Sequence, residues 1–223
     1  MKGMAKGYLF VIVTVALVAT AGCAQKEIRY SGFLGSYPTF RPGPEGGAAL
    51  VYMKKGVDFG KYNKLMFDQV VFYLKEDAKN KGIQPEEMKE LADAFHLAGA
   101  KALEGAYPLV GEAGPDVLRI RVAITNIEPG NPAQSAITTV MPVGLALSVI
   151  KKGVTGKHSG VGGASMEVEF LDSMTNERVA AAIDSRGGSK LSGLTKFGSA
   201  KEAFEFWSQR LKVFLDKAHG KTP

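Results

Sequence analysis

The stretch DVLRIRVAITNI, residues 116–127, constrains the fold more than any other part of this chain. Leu118, Ile120, Val122 and Ile124 fall on one side of an extended backbone, and Arg119, Arg121 and Thr125 on the other. Side chains alternate between faces with a period of two in a strand, so this stretch predicts a strand with one buried and one polar face. A sheet with such strands needs a second layer, and the sequence supplies two amphipathic helices. The first follows Pro85, which suits a first helical position, with Glu86 and Glu87 favourably placed at the helix N-terminus. Met88, Leu91, Ala92, Phe95, Ala98 and Ala102 then recur at helical spacing. The second spans 199–218, where Ser199 and Glu202 predict a capping box. Phe204, Trp207, Leu211, Phe214, Leu215 and Ala218 stripe one of its faces.

Two further stretches read as strands. YNKLMFDQVVFYL, 62–74, is rich in Val, Phe and Tyr, and SMEVEFLDSMTNERVAAAID, 165–184, reads as a hairpin turning near Ser173 to Asn176. Met166, Val168 and Phe170 are its inward positions. Two helices with one apolar stripe each cover one face of such a sheet. The expected fold is therefore α+β: a two-layer α/β sandwich with a mainly antiparallel or mixed four-stranded sheet, two helices on one face, and the other face open.

The chain opens with Lys2 and Lys6, an uncharged run from Tyr8 to Ala21, and then Gly22 and Cys23. This is the layout of a secretory signal. The run is too short for a permanent span, which takes ~20 apolar residues. Cys23 is the only cysteine in the 223 residues, so it has no partner for a disulfide. A cysteine directly after Ala21 and Gly22 resembles a bacterial lipobox, although Thr20 stands where leucine is most common. The resemblance implies cleavage between Gly22 and Cys23 and lipidation of the Cys23 sulfur, palmitate among its chains. With Ala24 next, it implies sorting to the outer membrane, facing the periplasm. The expected organisation is a signal peptide over 1–22, a lipidated tether over 23–56, and a globular domain over 57–223. In the tether, Tyr30, Phe33, Leu34, Tyr37 and Phe40 are too many large apolar residues for a free linker.

Charge and motifs narrow the chemistry. The chain has 28 Lys and Arg against 22 Asp and Glu, and the two lysines before the cleavage point leave 26 against 22. These charges are interspersed from Lys54 to Glu104, unlike the basic stripe of a nucleic-acid binder. VTGKHSG, 154–160, fails as a phosphate loop: Lys151 stands where its first glycine belongs, and His158 where the magnesium-binding hydroxyl belongs. His96, His158 and His219 have no paired ligand at helical spacing, so no metal site is expected. No G-x-S-x-G elbow occurs. No cofactor, nucleotide or nucleic acid is expected, and the chain reads as a non-enzyme, with a hydrolase as a third alternative.

The glycine-rich, apolar insertion over 133–164 fits none of the strands or helices. Within it, the run 136–150 has two readings. It is a hydrophobic connection packed on the domain, or a segment touching a partner or the membrane through Val140, Met141, Leu145, Leu147 and Ile150. The leading functional expectation is a non-catalytic binding or structural module with an envelope protein partner. The alternative is a membrane-associated oligomeric component of a transport or secretion assembly.

SGFLGSY at 31–37, VDFGKYNKLMFDQV at 57–70, EVEFLDSMTNERVAAAID at 167–184 and AFEFWSQRL at 203–211 resemble the bacterial lipoproteins grouped as domain of unknown function 3313. That resemblance covers nearly all of the chain beyond Cys23 and implies a lipobox at this place. It carries over no catalytic or binding residue.

Overall fold

The computed structural model describes residues 30–74, 83–131 and 161–221. Cys23, Gly22, His158, Val140, Met141, Leu145, Leu147 and Ile150 lie outside the described residues, as does most of the insertion. In chain order the elements are β1 (Arg41–Pro42), β2 (Leu50–Met53), β3 (Lys64–Phe67), β4 (Val71–Phe72), α1 (Pro85–Leu103), β5 (Val117–Glu128), β6 (Gly163–Asp172), β7 (Arg178–Gly187) and α2 (Gly198–Ala218). The strands form one mixed sheet in the order β1-β2-β7-β6-β5-β3, with β4 also paired to β5. Only β3 and β4 run parallel to their neighbour β5, and every other pairing is antiparallel.

The α+β sandwich expected from the sequence is thus the observed class, but the sheet is wider than four strands. Among the described residues it has seven, for two physical reasons. The single strand expected over 62–74 is broken in two. Phe67 pairs with Ile120 and Val71 with Ala123, so four steps on one chain match three on the other. The extra residue kinks the strand, as a bulge does. At the far edge, residues 41–53, read as irregular tether, reverse through a turn in which the Gly43 amide donates to Ala49 O (3.1 Å) and the Gly47 amide to Pro44 O (2.9 Å). The returning strand β2 pairs with β7 from Leu50↔Ile183 to Met53↔Ala180.

Both helices cover the same face. Leu118, Ile120, Val122 and Ile124 of β5 join Met166 and Val168 of β6 and Ala180 and Ala182 of β7 in one core with Leu91, Phe95, Leu103, Phe204, Trp207 and Leu215. Phe170, the third inward position of the hairpin, packs on this core half-buried. The alanines of β7 leave room for the large rings of α2. Trp207 fills that space and donates its indole N–H to buried Asp184 Oδ2 at 2.7 Å, while the Ala49 amide takes Oδ1 at 3.0 Å. Phe204 is fully buried, and a phenylalanine in that state contributes about 1.5–3 kcal/mol of transfer free energy.

The helix ends differ in how far the sequence foretold them. At α1, Pro85 is the first helical residue, and Gln84 and Glu87 form a reciprocal capping box. At α2 the capping box expected from Ser199 and Glu202 is absent. The helix begins at Gly198 with Phe197 as its N-cap, so Ser199 lies inside the first turn. Its hydroxyl donates to Val161 O, and Glu202 accepts the Ser189 amide at 2.8 Å. Both side chains tie the helix start to its neighbours. The β6–β7 turn follows the sequence more closely: Asp172 Oδ1 accepts the amides of Met174 (3.2 Å) and Thr175 (3.1 Å), and Asn176 takes the left-handed conformation at φ 56°.

Candidate functional site

The sheet face away from the helices was expected to be open, and it is covered in part by the tether, whose large apolar residues were expected to dock. Residues 31–37 cross it as a strap. The Ser31 amide and the Tyr37 hydroxyl both donate to Glu167, each at 2.7 Å, one to each carboxylate oxygen. Glu167 is completely buried beneath them. Leu34 is buried, Tyr30 stacks on Tyr37 with ring centroids 4.1 Å apart, and Phe33 lies against Tyr73. The alternation of β5 reported a polar face correctly, but polarity does not say what covers it. Burial and the bond to Glu167 raise the Tyr37 pKa above the ordinary tyrosine value.

Beside the strap the face opens into a groove of about 470 Å³ lined by Leu34, Asp68, Arg119, Arg121, Glu169, Leu171, Asn176 and Arg178. Strand register builds it. Arg121 of β5 stands directly across from Glu169 of β6, a cross-strand pair of opposite charge. Glu169 is 2% exposed and holds one guanidinium on each oxygen: Arg121 Nη1 donates to Oε1, and Arg178 Nε to Oε2 at 2.7 Å. Arg178 also donates to the strap carbonyls of Ser36 (2.6 Å) and Leu34 (2.7 Å). Arg119 forks onto Asp68 with two bonds of 2.8 Å and reaches Asn176 Oδ1 at 2.8 Å. Bidentate pairing of this kind fixes the plane of the guanidinium. The bond to Asp68 outweighs desolvation and raises the Arg119 pKa.

Asp68 is placed by the kink between β3 and β4, where its amide donates to Ile120 O at 3.0 Å. Phe33 lies 5.2 Å from the Arg121 guanidinium carbon, within the range of a cation–π contact. The groove is therefore a set of oriented guanidiniums held by two fixed carboxylates. Arg119 and Arg121 were legible in the sequence as outer-face residues, whereas Asp68, Glu167, Glu169 and Arg178 were not read as a site. The available signal was charge at alternate positions of EVEF, opposite in sign to the arginines of the preceding strand.

A larger hollow of about 650 Å³ lies at the C-terminal end of α1, lined by Leu97, Ala100, Leu103, Tyr107, Pro108 and Leu109 together with Lys101 and Glu104. Its one hydroxyl, on Tyr107, already donates to Asp216 Oδ1 at 2.9 Å. Burial and that carboxylate push the Tyr107 pKa up to about 12.

His96 is half-buried on α1 with its ring edge-on to Phe95, and His219 caps α2 with Nδ1 2.8 Å from Leu215 O. Among the described residues no group of three His, Cys, Asp or Glu side chains is placed to hold a metal ion, and no helix is long and apolar enough to cross a membrane.

A solved PelC dodecamer from Paraburkholderia phytofirmans is similar to the chain with 10% identity and a TM-score of 0.42, over 74% of this chain and 95% of that one. A DUF4136 family protein from Bacteroides thetaiotaomicron gives 10% identity and a TM-score of 0.34, over 77% and 95%. A putative neuraminyllactose-binding hemagglutinin homolog from Helicobacter pylori gives 11% and 0.29, over 74% and 88%. No curated protein matches the chain. The family model described as protein of unknown function, DUF3313, matches residues 29–211, and the chain belongs to that family.

Proposed function

We propose that this protein is a lipoprotein of the bacterial envelope, held by Cys23 at the periplasmic face of the outer membrane, where it acts as a non-catalytic binding module. The observation that carries the reading is the lone cysteine at position 23, directly behind an uncharged run that ends in the small residues Ala21 and Gly22. Acyl chains on that sulfur contribute ~0.8 kcal/mol per buried methylene, so several chains hold where one does not. The body stands close to such an anchor. Ser31, eight residues on, is already bonded to Glu167, and eight residues reach at most about 29 Å. The groove supports the binding half of the reading, because its charged groups are fixed pairs of oriented donors and acceptors, a chemistry of recognition.

Intact-mass measurement with membrane fractionation tests the anchor. The wild type is expected in the membrane fraction, starting at Cys23 and carrying added acyl mass, and Cys23→Ala is expected to lose that mass. A soluble wild-type product still beginning at Met1 overturns the reading.

A second reading, an oligomeric or membrane-contacting component of an envelope transport assembly, is favoured by one geometric fact. Residues 131 and 161, between which Val140, Met141, Leu145, Leu147 and Ile150 lie in sequence, flank the Glu128↔Gly163 pair of the sheet. Gly163 is four strand residues, about 13 Å, from the Glu167 that pins the strap. The described residues that flank the apolar run in sequence therefore lie close to the strap that leads back toward Cys23. Replacing 136–158 with a short polar linker is expected to abolish assembly on this reading, and unchanged assembly by native mass measurement excludes it.

A further inference from the structure

The arginines of the groove have more donors than their protein partners use. Arg121 places Nη1 on Glu169 and has Nε 3.5 Å from Asp68, which leaves Nη2 without an acceptor among the described residues. Arg119 and Arg178 each engage all three nitrogens once, and a guanidinium carries five N–H groups in all. The side chains of Arg119 and Arg121 are about a third exposed, at 32% and 39%, while Glu169 beneath them is sealed at 3%. Unused donors therefore face the opening and the fixed acids lie at its base and side. The charges also count. Three guanidiniums stand against Asp68 and Glu169, which leaves one positive charge in the groove. Glu167 is outside it, closed off under the strap.

We propose that this groove binds a single carboxylate. One such group completes the charge balance, and its two coplanar oxygens match the fork of a guanidinium. A phosphate dianion would overshoot the balance. The two sources of the chemistry are a free small carboxylate and a carboxylate carried by a peptide. Arg178 already takes the main-chain carbonyls of Leu34 and Ser36 as acceptors, so peptide main chain beside the guanidiniums is something this face accommodates. The inference rests on the binding half of the reading above and not on the anchor, which the Cys23 measurement tests separately.

The test is nitrogen-15 NMR titration of the detergent-solubilised full chain with acetate, with an end-blocked dipeptide containing Asp or Glu, and with inorganic phosphate. Saturable shifts around Arg119, Arg121 and Arg178 with a carboxylate probe are expected. Acetate and the dipeptide binding alike points to the small-molecule source, and the dipeptide alone to the peptide source. Two variants change the groove charge in opposite directions. Asn176→Asp keeps an acceptor for Arg119 on an exposed residue whose left-handed backbone aspartate tolerates, and should weaken binding about tenfold or more, the worth of one charged hydrogen bond. Asp68→Asn should tighten it severalfold, with circular dichroism confirming that each variant is folded. The proposal is overturned if neither carboxylate saturates at millimolar concentration, if phosphate binds more tightly than both, or if folded Asn176→Asp binds as the wild type does.

Discussion

The strap is held to the sheet by Glu167, and the Tyr37 hydroxyl is the most separable part of that hold. Tyr37→Phe removes only the O–H. The ring stays stacked on Tyr30, with its centroid 4.1 Å away, and the Ser31 amide stays on Oε1 at 2.7 Å. What is lost is a 2.7 Å bond to a carboxylate that is completely buried, together with the acceptor for the exposed Gly32 amide, also at 2.7 Å, which can turn to water instead. A hydrogen bond to a charged group is worth about 1.5–3 kcal/mol, and Oε2 would be left buried without its donor. The expected destabilisation is therefore about 2 kcal/mol, measured as a shift in the denaturant midpoint at unchanged slope. Hydrogen exchange should show where it falls, with faster exchange at the amides of Ser31 and Gly32 and little change in β6 and β7. The effect also has a pH signature. The folded pKa of Tyr37 is raised above 10.0, so its contribution is full below that value and is lost as pH rises through the folded pKa. The gap between wild type and variant should accordingly close in alkali. Loss under about 0.3 kcal/mol, with unchanged protection of residues 31 and 32, would refute the view that Glu167 pins the strap.

Trp207→Phe should cost about 2–3 kcal/mol, because Asp184 loses its indole donor and a buried ring is replaced by a smaller one. Chemical unfolding followed by circular dichroism measures it, since the only tryptophan is gone. Asp172 holds Lys61 (2.8 Å), the Tyr62 hydroxyl (3.0 Å) and the turn amides, and chiefly the Lys61 contact keeps its carboxyl well below the usual range. The sign follows from that depression: Asp172→Asn should cost about 1–2 kcal/mol above pH 3.8, and the difference should vanish as pH falls through the folded pKa. A pH-independent difference in the unfolding free energy would disprove that assignment.

The parts of the fold legible in the sequence are those with long, regular periodicity. Leu118 to Ile124 alternate over several turns of the pleat, and Leu91 to Ala102 and Phe204 to Leu215 repeat over several helical turns. Shorter elements left no such trace. β1 and β4 have two residues each, and β2 follows a glycine-rich reversal that reads as irregular. The α2 cap misled because a sequence pattern cannot reveal that Val161 competes for the Ser199 hydroxyl from 38 positions away. The groove was out of reach for the same reason. Arg121 and Glu169 are separated by 48 positions, and only the β5–β6 register sets them side by side. A shift of one residue would turn either side chain to the opposite face.

The contacts on the outer face form one connected set. Glu167 fixes the strap through Ser31 and Tyr37, the strap carbonyls of Leu34 and Ser36 fix Arg178, and Arg178 shares Glu169 with Arg121. At 2% exposure Glu169 depends on both guanidiniums as partners, since an unpaired buried charge costs several kcal/mol. The strap is thus part of what holds the groove arginines in their orientation. On the proposed anchor, the strap is also the first described stretch of chain after Cys23. A partner that lifted residues 31–37 would free Arg178 from two carbonyls and bare Glu167 to solvent, so groove geometry and the attachment of the body to its tether are coupled through the same few bonds. That coupling is reciprocal by linkage: a ligand that orders the arginines must also tighten the strap.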